Sequence, residues 1–116
     1  MANTFKLKTK TGVNGAALST VYTVPGSTTA VIIGLTLSNI KGSAITADAQ
    51  IVTASSSGEN ADDVYIIKDV PIPAGSSMEV MSGNKIILQT GDVVKAAGSN
   101  GSGADADVIL SVMEIT

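Results

Sequence analysis

Residues 29–40, TAVIIGLTLSNI, carry the strongest strand signal in the chain. On an extended backbone Val31, Ile33, Leu35 and Leu37 fall to one side and Gly34, Thr36 and Ser38 to the other, the two-residue period of a half-buried strand. Residues 44–53, AITADAQIVT, repeat the pattern, with Ile45, Ala47, Ala49 and Ile51 opposite Thr46, Asp48 and Gln50. Lys41-Gly42 between them is turn chemistry. The two stretches predict a long antiparallel hairpin with one dry face and one wet face.

Outward from this pair the chain reads as further short strands. Residues 20–24 run into Pro25-Gly26, a pair that fixes one turn dihedral and frees the next. Residues 64–70 stop at Pro-Ile-Pro 71–73, because proline cannot donate to a central ladder. Residues 76–81, 85–89 and 92–97 are separated by Ser82-Gly83-Asn84 and Thr90-Gly91, and residues 107–115 form the last strand. Residues 55–63 and 98–105 are polar and read as flexible exposed loops. Val and Ile number 24, Ser and Thr 25, and no stretch shows the three- and four-residue spacing of an amphipathic helix. About eight strands at this spacing predict an all-β antiparallel β-sandwich, jelly-roll-like or immunoglobulin-like, with a small closed barrel as the alternative. Residues 1–17 are expected as an N-terminal arm or first strand, and residues 18–116 as one sandwich domain.

Composition removes most chemistry. The 116 residues include no His, no Cys and no Trp, so there is no imidazole for proton transfer near neutral pH, no thiolate and no disulfide. All seven cations are Lys, which leaves no guanidinium to clamp a phosphate. The net charge of −3 and pI near 4.6 oppose nucleic-acid binding. No apolar run approaches a membrane span, and MANTFKLKTK lacks the apolar core of a secretory signal, so a soluble chain made in the host cytoplasm is expected.

The remaining polar groups read as structural. Glu59, Asp62 and Asp63 lack the spaced oxygen ligands of a calcium loop, so a solvating loop is expected. Asp105 and Asp107, two apart, would point to one side of an extended chain and discourage sheet-to-sheet aggregation. Lys85 after Gly83-Asn84 lacks the spacing of a phosphate loop and reads as a turn entering a strand. Tyr22, Tyr65 and Phe5 are the only aromatic residues, too few for a sugar-stacking cleft. No enzyme activity, metal or cofactor is expected.

The informative anomaly is apolar surplus. Ile32-Ile33, Ile66-Ile67, Ile86-Ile87, Val93-Val94, Ile109-Leu110 and Val112-Met113 place apolar side chains on both faces of their strands, whereas a sandwich buries one face of each sheet. Exposed apolar patches mark interfaces. Ile32, Ile67, Ile87, Val93, Ile109 and Met113 are therefore the expected contact residues, with the Lys6, Lys8, Lys10 arm reaching an acidic neighbour.

The stretches VYTVPGSTTAVIIGLTLSNIKGSAITADAQI (21–51), YIIKDVPIPAGSSMEVMSGNKIILQTGDVVKA (65–96) and DVILSVMEI (107–115) resemble small virion structural proteins of tailed bacteriophages, especially phages of marine cyanobacteria. The resemblance spans residues 18–116 and rests on turn and strand phrases such as Gly83-Asn84-Lys85 and Gln89-Thr90-Gly91-Asp92. It implies a non-enzymatic, multicopy β-sandwich of the virion. Its expected partners are copies of itself, as a homo-oligomer and preferably a trimer, and a major capsid or tail protein, with no nucleic acid and no membrane. A capsid decoration or cement role is the expectation. A tail- or baseplate-associated or host-surface-binding module is the alternative.

Overall fold

The computed structural model describes residues 2–53, 63–81, 83–99, 101 and 103–116. These residues form nine strands: β1 (Asn3–Val13), β2 (Ser19–Thr23), β3 (Thr29–Asn39), β4 (Ile45–Val52), β5 (Asp63–Ile72), β6 (Ser77–Glu79), β7 (Ile86–Leu88), β8 (Val93–Ala97) and β9 (Ala106–Ile115). They make two antiparallel sheets. The first runs β1-β9-β3-β6, with β7 also on β3, and the second runs β2-β8-β4-β5.

β6 pairs Thr36–Ser38 and β7 pairs Ala30–Ile32, so both lie in line on the same edge of β3. Counted as one interrupted strand, they reduce nine strands to eight and give the jelly-roll order. The Glu79 carboxylate sits at the interruption, accepting hydrogen bonds from Leu35 N at 3.2 Å and from the Thr36 hydroxyl at 2.6 Å.

Side chains from both inner faces fill the core. Ala30, Ile32, Leu35, Leu37, Val108, Leu110 and Val112 come from the first sheet, and Tyr22, Ile45, Ala47, Ala49, Ile51 and Val94 from the second. Fully burying one such aliphatic side chain contributes about 1.5–3 kcal/mol. The inward set predicted for β4 is therefore the one observed.

Three expectations are corrected. β3 and β4 do not form a hairpin: they belong to opposite sheets, and the hairpin partner of β4 is β5. A jelly roll passes each of its first connections across the sandwich, which alternating polarity alone cannot reveal. The dry face of β3 is not Val31, Ile33, Leu35 and Leu37. A bulge at Ile33 shifts the register between Ile32↔Val112 and Gly34↔Ser111, so Ile32 lies inside while Ile33 is turned out. Finally, β5 continues through Pro71 to Ile72, because it is an edge strand where the missing donor faces no partner.

Asp69 has a φ of 53° at a second bulge, in β5, where its N–H donates to Asp48 Oδ1 at 2.7 Å. Asp105, immediately before β9, is tied down rather than loose. It is fully buried, accepts a hydrogen bond from Ser99 N at 2.8 Å and pairs with Lys41 at 3.5 Å. Most of residues 55–63 lie outside the described residues, with Glu59 and Asp62 among them, and Asp63 opens β5.

Candidate functional site

The outer face of the first sheet carries an apolar row that crosses β1, β9, β3 and β7. Phe5 on β1 faces Met113 on β9, Met113 faces Val31 on β3, and Val31 faces Ile87 on β7. The adjoining row places Leu7 opposite Ser111 beside the turned-out Ile33, and the next places Thr9 opposite Ile109. Phe5 is 72% exposed, Leu7 65%, Ile87 64% and Ile109 44%. Ordinary surfaces scatter such side chains singly, whereas these are register neighbours on one flat face.

The second sheet differs. Its outer face brings Lys95 opposite Gln50 and Gln50 opposite Tyr65, and Lys68 lies 3.5 Å from Asp48 and 5.1 Å from the Tyr65 ring centroid. Asp48 holds the exposed Lys68 ammonium above its ordinary pKa. Its exposed apolar residues, Val64 and Tyr65, are confined to the edge strand β5.

On the inner side of β1 the lysines meet charge and aromatic surface. Lys6 Nζ lies 2.9 Å from Glu114 Oε1, the Tyr22 hydroxyl donates to Glu114 Oε2 at 2.5 Å, and Lys8 Nζ lies 5.7 Å from the Tyr22 ring centroid. The Tyr22 hydrogen bond, helped by Lys6, holds the Glu114 carboxyl below its ordinary value. Burial, then the Glu114 hydrogen bond and charge, push the Tyr22 phenol well above its ordinary value. The group is a closed ion-pair network joining the sheets.

The expected contact residues separate into three groups. Ile87, Ile109 and Met113 lie together on the apolar outer face of the first sheet. Val93 is half-buried on the second sheet, between Thr23 and Val52. Ile32 is 0% exposed and lies in the core, out of reach of a partner, whereas Ile67 is half-buried opposite the inward Ala49 and packs partly against the core. Lys6 and Lys8 face into the sandwich margin, with Lys6 neutralised within the chain; Lys10, opposite Val108, remains exposed. Sequence reasoning missed Phe5, Leu7, Val31 and Ile33. The alternation of Phe5 and Leu7 with Lys6 and Lys8 was the available signal, but only Glu114 decides which set turns inward.

Asp105 and Asp107 do not act together. Asp107 Oδ1 accepts from the Thr11 hydroxyl at 2.7 Å and from Gly12 N at 3.1 Å, while Asp105 serves the buried segment described above. Thr9, Lys10, Thr11, Ser38, Asp107 and Ile109 surround an open groove of about 540 Å3 floored by Val108. Among the described residues no three His, Cys, Asp or Glu side chains cluster as metal ligands would. Lys85 precedes β7 as the turn entering a strand that its context predicts.

No protein-family model matches the sequence, and no curated protein does. The architecture does have solved counterparts. A subunit of the Bacillus endospore appendages, described as disulfide-linked pili, superposes with a TM-score of 0.54 at 12% identity, over 98% of this chain and 88% of that one. A protein of infectious bursal disease virus, Gx strain, superposes at 0.51 and 12% identity over 96% of this chain. The chain spans 32% of that protein's length. A chain of the cyanophage Pam1 capsid superposes at 0.40 and 15% identity, covering 97% and 84% of the two chains, too distant to bear on the fold. What is shared is the jelly-roll sandwich.

Proposed function

We propose that this protein is a non-enzymatic virion structural subunit of a tailed phage. It self-associates, with the trimer as the arrangement to test first, and docks on the capsid as a decoration or cement protein. The carrying observation is the apolar row Phe5–Met113–Val31–Ile87 on the outer face of the first sheet. Phe5 and Ile87 at the ends of this row are 72% and 64% exposed, whereas the outer face of the second sheet carries Lys95, Gln50, Lys68 and Asp48 with its exposed apolar residues confined to β5. Jelly-roll counterparts in a pilus and a virus, both assemblies of repeated subunits, support the reading, as does the resemblance of residues 18–116 to virion proteins.

Magnitudes favour a repeated contact. Phe5, Leu7, Ile87 and Ile109 contribute about 1.5–3 kcal/mol each when fully buried. Association costs an estimated 4–15 kcal/mol in lost freedom and ordering. One such pairing is weak, so a ring or lattice that multiplies the contact gives the stable form. Major capsid protein is the partner proposed, and the virion the location. The appendage subunit, matched over nearly its whole length, favours a second reading, a tail- or baseplate-associated subunit.

Light scattering on purified protein at tens of micromolar tests self-association. A strict monomer removes it. Antibody labelling of intact particles under the electron microscope separates head from tail, and absence of label from every particle overturns the virion reading.

A further inference from the structure

We propose that β1 is a shared strand: Asn3–Val13 of one copy occupies the edge of β9 in another copy of the same chain. This rests on the self-association reading and gives it a mechanism.

Eight of the eleven β1 residues are exposed, and only Val13, the last of them, is buried. Phe5 and Leu7 gain almost nothing by staying in their own subunit. What fixes β1 is its receiver: nine register pairs with β9, the Lys6–Glu114 ion pair, and Lys8 over the Tyr22 ring. None of these depends on which chain supplies the strand. Exchange therefore keeps every contact and alters only the connection, which makes swapping an identical element a low-cost route to association. The receiver is charge-specific. Glu114 points inward at the edge of the core, and lysines at alternate positions of β1 answer it.

The connection has hinge character. Gly12 has a φ of 70°, the β1–β9 register breaks between Lys10 and Val13, and Gly15, Ala16 and Ala17 before β2 are exposed. Beyond Val13, whose carbonyl accepts from Asp105 N, the polar anchors among the described residues are Asn14 Nδ2 donating to Gly103 O at 2.6 Å and Ala16 N donating to Asn14 Oδ1 at 3.0 Å. The inward lysines also discourage direct edge-to-edge pairing of two β1 strands, because like charges would then face each other. Exchange joins copies without that repulsion and carries Phe5 and Leu7 onto the neighbour's apolar row.

The chain has no cysteine, so introduced thiols report cleanly. Leu7 and Ser111 are register partners on the outer face. In the double variant Leu7→Cys, Ser111→Cys, oxidation of folded protein is expected to give covalent oligomers on a non-reducing gel. Disulfides confined within single chains overturn the exchange, because the direct partner then lies in the same subunit. If oligomers persist in light scattering beside such intrachain disulfides, exchange fails while self-association stands.

Should the thiols not join, two charge-reversed variants decide. Lys6→Glu and Glu114→Lys each place like charges together when alone. Mixed and refolded together, they restore both pairs only across chains, so heterooligomers in native mass spectrometry are expected. Their absence overturns the proposal.

Discussion

The Tyr22 hydroxyl donates a 2.5 Å hydrogen bond to Glu114, joining β2 of the second sheet to β9 of the first across 92 residues of sequence. Both residues point inward and are buried, and Lys6 supplies the countercharge. A carboxylate at that depth is tolerated because both of its oxygens are engaged. Replacing Tyr22 with Phe removes the donor but leaves the charge. The expected loss is about 1–3 kcal/mol of folding free energy, read from urea unfolding at neutral pH.

The same group makes stability sensitive to acid. The folded-state pKa of Glu114 lies below its ordinary 4.5, so its contribution is complete above that value and is lost as the pH falls through the lower, folded value. Stability should therefore fall with acidity below pH 4.5, and Glu114→Gln should show a shallower fall. An unchanged slope in the variant would assign acid sensitivity elsewhere.

The bulge at Ile33 makes two adjacent isoleucines unequal. Ile32→Ala empties a site with no solvent exposure and is expected to cost about 2–5 kcal/mol. Ile33→Ala, on the outer face, is expected to change stability by about 0.5 kcal/mol or less. Thermal unfolding of both variants checks the assignment, and reversed values would place the bulge elsewhere.

Gly98 lies against Asp105 so closely that an added Cβ would stand 2.3 Å from Asp105 Oδ2. Asp105 is buried among its partners and has no room to retreat. Gly98→Ala is expected to destabilise by about 1–3 kcal/mol through overpacking. A double-mutant cycle with Asp105→Gly should be non-additive, since that change removes the Cβ, Cγ and Oδ2 in the way.

Ile87→Lys tests the apolar face apart from the fold. Its side chain is 64% exposed and touches the outer row only, so monomer stability should move by about 0.5 kcal/mol or less. Association, read by light scattering, should weaken because a charge would have to be desolvated at the contact. Equal association by the variant and the parent would exclude this face.

Strand positions were largely legible because the two-residue period is local. The face assignment of β4 followed directly from alternation, and β8 starts one residue inside the segment 92–97 that the Thr90-Gly91 turn marked off. Ile32 and the supposed β3–β4 hairpin were misread for two reasons, both invisible in local polarity. A bulge adds a residue without any mark in polarity, and a connection that crosses between sheets has the same turn chemistry as one that does not. Apolar surplus was likewise visible as a quantity. Its location on one face was not, since it required knowing that Lys6 turns toward Glu114.

The amino-acid sequence alone determined the β class, the strand-forming segments, and the lack of imidazole, thiol and guanidinium chemistry, because propensity and composition act residue by residue. Tertiary pairing decided which isoleucines are core and which are surface, that β1 is held chiefly by its ladder and its lysines, and that the leftover apolar side chains line up. Those are properties of register between strands far apart in the chain, and register is fixed only when the sheets close on one another.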